Sequence, residues 1–384
     1  MRPTRSLALT GLIFATSLVV VGCATSGVKM ASGGGGHSCA ALFDGRVLCW
    51  GDNNAGQLGT GNLAPSLTPV GVPPYAFAAN DPPVLGLAAG DSHTCVLGRS
   101  GKIFCTGSNQ YGQLGVNSRT DYISLQPVRA TIALADGSAR PAKGIAAGRR
   151  HTCAVYDNGL VACWGFGSPP EPTIVPESHV VVGTSAPLAA QLISARYDQT
   201  CVIRTDARVA CWDVVGNTAP APMVVSGILA QGALAAGKSH ACATDQSGAI
   251  QCWGWNTFAQ LGNGSRGGST NTPSRVVTQS SSRVLDLAAG DNHTCALFND
   301  GSVECWGAND AGQTGDPGPA YTLNSRQVIA SDAVAIAAGA MHSCAAIVQN
   351  KVRRLKCWGL NGSGQLGDGT KNSATAPVLV QSLP

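Results

Sequence analysis

Charge is scarce in this chain. Asp, Glu, Lys and Arg make up 12% of its 384 residues, and the formal net charge is +4. So weak a field over so large a surface argues neither for a nucleic-acid-binding protein nor for strong binding to a membrane surface. Long apolar runs are lacking beyond the first two dozen residues, so no later segment is expected to span a bilayer. Hydrolase machinery is lacking too: no Gly-x-Ser-x-Gly elbow occurs, and all histidines but His179 sit at one repeated position. The glycine-rich stretches Gly33 to Gly36 and Gly264 to Gly268 lack the Lys-Ser/Thr ending of a phosphate loop and read as turn or linker. No enzymatic activity and no cofactor are expected. Glycine, in contrast, is abundant at 49 residues, which with so little charge suits many short strands and tight turns.

Arg2 and Arg5 precede an apolar stretch from Leu7 to Val21 that is too short to span a membrane comfortably and is followed by Ser and Gly, the pattern of a secretory leader. Val20-Val21-Gly22-Cys23 resembles a bacterial lipobox, which implies lipidation of Cys23 after cleavage of residues 1–22. Ala24 in place of Asp implies the outer membrane under the sorting rule of diderm bacteria. Residues 23–36 then form a lipidated N-terminus and Gly/Ser-rich linker ahead of a repeat domain over 37–384.

Of the 15 cysteines, 14 fall into seven pairs: Cys39 with Cys49, Cys95 with Cys105, Cys153 with Cys163, Cys201 with Cys211, Cys242 with Cys252, Cys295 with Cys305, and Cys344 with Cys357. Cys295 to Cys305 shows apolar alternation on both sides of Asn299-Asp300-Gly301, the signature of a β-hairpin, and a turn there sets the two cysteines opposite each other. One disulfide per hairpin follows, and an oxidising compartment with it. Zinc is the rival reading, because six histidines (His37, His93, His151, His240, His293 and His342) lie two residues before a cysteine. A single repeat supplies only three such ligands, so a hydrogen-bonding role between repeats is expected instead.

The first cysteines recur every 41 to 58 residues, a period suited to propeller blades. Leu87-Ala-Ala-Gly-Asp-Ser-His-Thr-Cys95 has a close copy at Leu287 to Cys295, and Trp-Gly-x-Asn-x-x-Gly-Gln-Leu-Gly stands whole at Trp50 to Gly59 and Trp358 to Gly367. These motifs resemble the regulator of chromosome condensation repeat, and the copies cover nearly all of the mature chain. The resemblance implies an all-β, seven-bladed β-propeller, here with one disulfide-stapled hairpin per blade. The last strand, at Pro377 to Val380, and a strand before His37 would close the ring. The eukaryotic namesake exchanges guanine nucleotide on a nuclear GTPase, while bacterial relatives include a secreted β-lactamase inhibitory protein that uses an aromatic-rich face.

The third and fourth repeats depart from the pattern. Phe166 to Pro170 replaces the Gly-Gln-Leu-Gly segment in the third; in the fourth, Arg196 stands for the turn glycine, Gln199 for the histidine and Asp213 for the glycine after Trp212. The two residues between turn glycine and histidine vary in every repeat and should form a ring on one face. Arg149, Arg150, Tyr197, Asp198 and Lys238 are its charged and aromatic sector, with Phe166 and Trp255 as aromatic anchors nearby. The expectation is a monomeric, non-enzymatic binding scaffold, lipid-anchored at the cell envelope, whose partner is an envelope or extracellular protein and not a nucleic acid. A propeller hydrolase or lyase acting on envelope polysaccharide is the alternative.

Overall fold

The computed structural model describes residues 26–73, 84–116, 123–132, 140–165, 179–180, 189–213 and 222–383. Cys23, the residues expected to form a leader and Phe166 lie outside the described residues. Repeats are numbered by their cysteine pairs.

In the first repeat the strand His37–Leu42 pairs antiparallel with Val47–Gly51, and Cys39 faces Cys49. The same register sets Cys95 opposite Cys105, Cys153 opposite Cys163 and Cys201 opposite Cys211. It likewise sets Cys242 opposite Cys252, Cys295 opposite Cys305 and, across the longer seventh hairpin, Cys344 opposite Cys357. All seven pairs are disulfides with Cα atoms 4.0–4.1 Å apart, the pairing that the spacing predicts. One strand is added inside each hairpin and one outside; in the first repeat these are Val28–Gly33 and Ser66–Gly71. The inner strand of the first repeat thus falls within the stretch expected as linker, where a strand before His37 was also expected.

The expectation of seven separate blades needs correction. Five repeats form discrete four-stranded blades, whereas the fourth and fifth share one seven-stranded sheet. The cause is the 14-residue strand Met223–Ala236, which pairs with Arg208–Asp213 of the fourth repeat through its first half and with His240–Asp245 of the fifth through its second. Cys201 and Cys242 are 41 residues apart, the shortest interval in the chain, so no separate connection is left between an outer strand and the next inner one.

The core lies between repeats. Seven apolar clusters alternate with the hairpins around the ring, as where Leu97, Ile103 and Leu114 of the second repeat meet Tyr156, Ala162 and Trp164 of the third. The last cluster joins the chain ends: Val28, Leu42 and Trp50 pack on Ala346, Leu355 and Leu366. Ala374–Leu379 is the outer strand of the last repeat and Val28–Gly33 the inner strand of the first, so the ring closes by packing of faces between two sheets. Antiparallel pairing puts the glycine-histidine turns at one end of the ring and the tips of the cysteine hairpins at the other. These ends are called the ring face and the hairpin face.

Candidate functional site

The ring face is built on a junction that recurs around the molecule. Each of the six repeated histidines is buried, and its Nε2 meets a hydroxyl of the next repeat at 2.7–2.9 Å: His37 with Thr94, His93 with Thr152, His151 with Thr200, His240 with Thr294, His293 with Ser343, and His342 with Ser38. This is the hydrogen-bonding role expected of them. At four junctions the hydroxyl in turn donates to a glutamine carbonyl, from Ser38 to Gln365, Thr94 to Gln57, Thr152 to Gln113 and Ser343 to Gln313. A hydroxyl has one proton to give, so at these junctions the imidazole Nε2 carries its own and donates. Burial pushes the histidine pKa values down, to about 3 in five of them and about 4 in His93. The rings are therefore neutral at ordinary pH.

Three of these glutamine carbonyls, and that of Gln260, accept the indole N–H of the next repeat at 2.9–3.0 Å, from Trp50 to Gln365, Trp164 to Gln113, Trp306 to Gln260 and Trp358 to Gln313. The Gly-Gln-Leu-Gly loop is thus a latch onto its neighbour. Its shape is held by the preceding asparagine: Asn53 Oδ1 accepts from the Leu58 amide at 2.9 Å, and Asn361 does the same for Leu366. The turn glycine is required by the imidazole, since a Cβ on Gly34, Gly90, Gly148, Gly237, Gly290 or Gly339 would stand 2.0–2.2 Å from the histidine Cε1. The glycine after Cys-Trp, or after Cys105-Thr106 in the second repeat, sits at φ 100–107° in six repeats, where a Cβ would also meet backbone of the preceding turn.

The fourth repeat breaks this junction at three places at once. Gln199 replaces the histidine, so no imidazole needs the glycine, and Arg196 can occupy its position. On the facing repeat the hydroxyl is replaced by Ala241, so its partner is gone as well. With its amide nitrogen turned toward the fifth repeat, Gln199 donates to the His240 carbonyl at 2.7 Å. Arg196 is 3% exposed, and its Nε reaches Asp291 at 2.9 Å while Nη2 lies 3.6 Å from Asp91. A side chain of the fourth repeat that touches the second and the sixth must cross the mouth of the ring. Burial alone would lower the Arg196 pKa, and the two carboxylates outweigh it and hold the guanidinium charged. Burial raises the Asp91 pKa, with Arg196 opposing.

Five of the sequence-predicted residues come together beside this bridge. Arg149 lies over the Tyr197 ring at 4.1 Å and pairs with Asp198 at 3.0 Å; Arg150 pairs with the other oxygen of Asp198 at 3.5 Å. Lys238 Nζ covers the same tyrosine at 4.3 Å. Trp255 follows on the fifth repeat, its amide donating to the Ser239 carbonyl at 2.8 Å, with 59% of its surface exposed; Phe258 in the same loop is 44% exposed. Sequence reasoning missed Arg196, Asp91 and Asp291 as a unit. The available signal was that position 196 changes together with 199 and 241.

Two chemical readings are resolved by placement. All cysteines of the His-x-Cys repeats are in disulfides, which removes them as zinc ligands. Gly232-Ala-Leu-Ala-Ala-Gly237-Lys238-Ser239 has the spacing of a phosphate loop, but it lies on the strand Met223–Ala236 and runs into the strand His240–Asp245, with no helix to cradle a phosphate.

Comparison with known proteins agrees with the repeat. A family model described as "Regulator of chromosome condensation (RCC1) repeat" matches residues 44–97, 100–155 and 247–297, and a second of the same description matches 28–57, 84–113, 233–260 and 284–313. The chain is 26% identical over 379 residues to the ultraviolet-B receptor UVR8 of Arabidopsis thaliana, covering 93% of this chain and 82% of the receptor. It is 27% identical to the secretion-regulating guanine nucleotide exchange factor of Mus musculus, covering 94% and 73%. Among solved structures, Prp20p of Saccharomyces cerevisiae superposes with a TM-score of 0.75 at 20% identity, covering 94% of this chain and 88% of that one.

Proposed function

The chain belongs to the regulator of chromosome condensation repeat family, and from that premise we propose that it is a non-enzymatic binding scaffold whose ring face recognises a protein partner in the bacterial cell envelope. The observation that carries this reading is the cluster of Arg149, Arg150, Tyr197, Asp198 and Lys238 beside the exposed Trp255. Its cations and aromatic rings are partly exposed and converge on one sector, the composition in which interface hot spots concentrate. Tethering through an acylated Cys23, at the outer membrane, supplies the location, and seven disulfides suit an oxidising compartment.

The test is site-specific photocrosslinking in intact cells from the Trp255 position, with Gln246 on the hairpin face as control. A protein captured from Trp255 and not from Gln246 supports the reading; capture from Gln246 alone sinks it. With the partner in hand, replacing Arg149, Arg150 and Tyr197 by Ala should weaken binding about tenfold or more. Trp255→Ala, which disturbs no internal contact of that cluster, should weaken it without moving the melting temperature. Acylation is tested by the mass of the N-terminal peptide from membrane-extracted protein. Likeness to the mouse secretion-regulating guanine nucleotide exchange factor favours one second reading, guanine nucleotide exchange, which the same capture would reveal as a bound GTPase.

A further inference from the structure

The hairpin face is as uneven as the ring face. Six hairpins span cysteines 10 residues apart and the seventh spans 13, so its tip stands about one and a half residues further out, roughly 5 Å at strand rise. The tip is a two-residue turn, Asn350-Lys351, with φ of 50° and 65°. Arg353 and Arg354 follow after Val352.

This projecting hairpin sits where the chain begins its first strand. The Arg353 amide donates to the Ser26 carbonyl at 3.1 Å, Gly27 bridges to Arg353 in parallel, and the Arg353 guanidinium lies 4.9 Å from the centre of the Phe43 ring on the first hairpin. On the far side of the first hairpin, Lys29 donates to the Val84 carbonyl at 2.8 Å, and Arg99 lies close enough to act on its charge. Arg99, Lys102, Lys351 and Arg354 are exposed, and among the described residues none of them forms an ion pair. Two acids lie on or beside this arc: Asp44, in the first hairpin's turn, is bound by Arg46 at 2.7 Å, and Asp332 accepts from Ser331 at 2.7 Å. The fifth hairpin, across the ring, and the sixth, which borders the seventh, carry Asp245 and Asp300 in their turns instead. The small net charge of the whole chain conceals this asymmetry.

We propose that the basic sector of the hairpin face, formed by the first, second and seventh repeats, is the surface by which the protein lies against an anionic phospholipid bilayer. The setting rests on the envelope reading given above. Three residue steps separate Cys23 from Ser26, a reach of about 11 Å at most. Acyl chains on Cys23 therefore enter a membrane beside Lys351 and Arg353, and cannot enter beside the ring face. Basic residues held beside those chains add attraction to an anionic surface and fix which side of the ring faces it. The arrangement leaves the Trp255 face turned away from the bilayer and open to a partner.

The test uses the chain from Ala24 onward, which keeps every described contact and lacks the acylation site. Co-sedimentation is measured with vesicles of phosphatidylcholine alone and of phosphatidylcholine with about one third phosphatidylglycerol. The expected result is binding to the anionic vesicles only, reversed at about 0.5 M salt. Replacing Lys102, Lys351 and Arg354 by Gln should reduce that binding at least about tenfold, and Lys238→Gln on the ring face should leave it unchanged. Equal partition to both vesicles, no binding to either, or an unchanged triple variant overturns the proposal. Since this chain cannot be acylated, such a failure says nothing against Cys23 as anchor, which the N-terminal peptide mass decides separately.

Discussion

Two sectors of one ring solve the same problem with different chemistry. From the fifth repeat round through the seventh to the third, neighbours are joined by neutral, buried histidine-hydroxyl bonds, and by glutamine carbonyls that accept indole N–H groups. Between the third, fourth and fifth repeats the sequence has no Gly-Gln-Leu-Gly latch, and of the histidine-hydroxyl bonds only that of His151 with Thr200 remains. A continuous strand and a cluster of guanidinium, carboxylate and phenol groups stand there instead. Neutral buried latches are indifferent to what lies in solution. Half-exposed charges are not, because a partner's charge can compete for them, so the sector that gave up the latch is the one equipped to respond to a ligand.

The difference can be broken most forcefully at the glycines. Gly290→Val drives a side chain into His293 and should destabilise the fold by about 3 kcal/mol or more, read as a shift in denaturant midpoint. Position 196 already carries an arginine in the same place without that penalty, so Arg196→Lys should fold and lose only the second carboxylate contact.

Acid should strike the latched sector first. The six histidines are held near 3 to 4 in the fold against 6.5 when unfolded, so between those values the unfolded chain binds more protons than the native one. Their contribution is whole above pH 6.5 and is lost as pH falls toward 4. Asp286, raised to about 6 by burial, works the other way, as do Asp91 and Asp213, also raised by burial, and these only blunt the slope. Stability measured against pH should fall below 6.5 with uptake of several protons on unfolding; a flat profile from 7 to 4.5 would mean the imidazoles are not buried neutral.

The tryptophans sharpen the contrast at smaller scale. Trp358→Phe removes the donor to Gln313 and should cost about 1 kcal/mol, whereas Trp212, whose Nε1 has no partner among the described residues, should tolerate Phe with no loss. Smallest of all, Lys238→Ala, at the exposed edge of the cluster, should change stability by less than about 0.5 kcal/mol.

Much of the fold was legible because cysteine spacing and turn chemistry act locally. Asn299-Asp300-Gly301 places Cys295 opposite Cys305 whatever the rest of the chain does, and the repeat then dictates a ring. The fusion of the fourth and fifth repeats was hinted at by their short interval, but whether a strand stops or continues is decided by pairing on both its edges, a non-local matter. The variable residues were found as a set by comparing repeats. Their mutual engagement, and Arg196 at its centre, could not be seen, because the partners lie in the second, third and sixth repeats and meet only when the ring closes. The basic arc was hidden for the same reason: Arg99, Arg354 and Lys29 are far apart in sequence and diluted by the overall charge.

The central claim is that the fourth repeat departs in concert and has not drifted, and a mutant cycle over positions 196, 199 and 241 tests it most directly. Gln199→His alone should lose about 2 kcal/mol or more, because the imidazole meets Arg196 and finds no hydroxyl on Ala241. Combining it with Arg196→Gly and Ala241→Thr rebuilds the junction found at His240 and should recover most of that loss in chemical denaturation. Costs that simply add across the three positions would show that the three residues are independent, and would contradict the account.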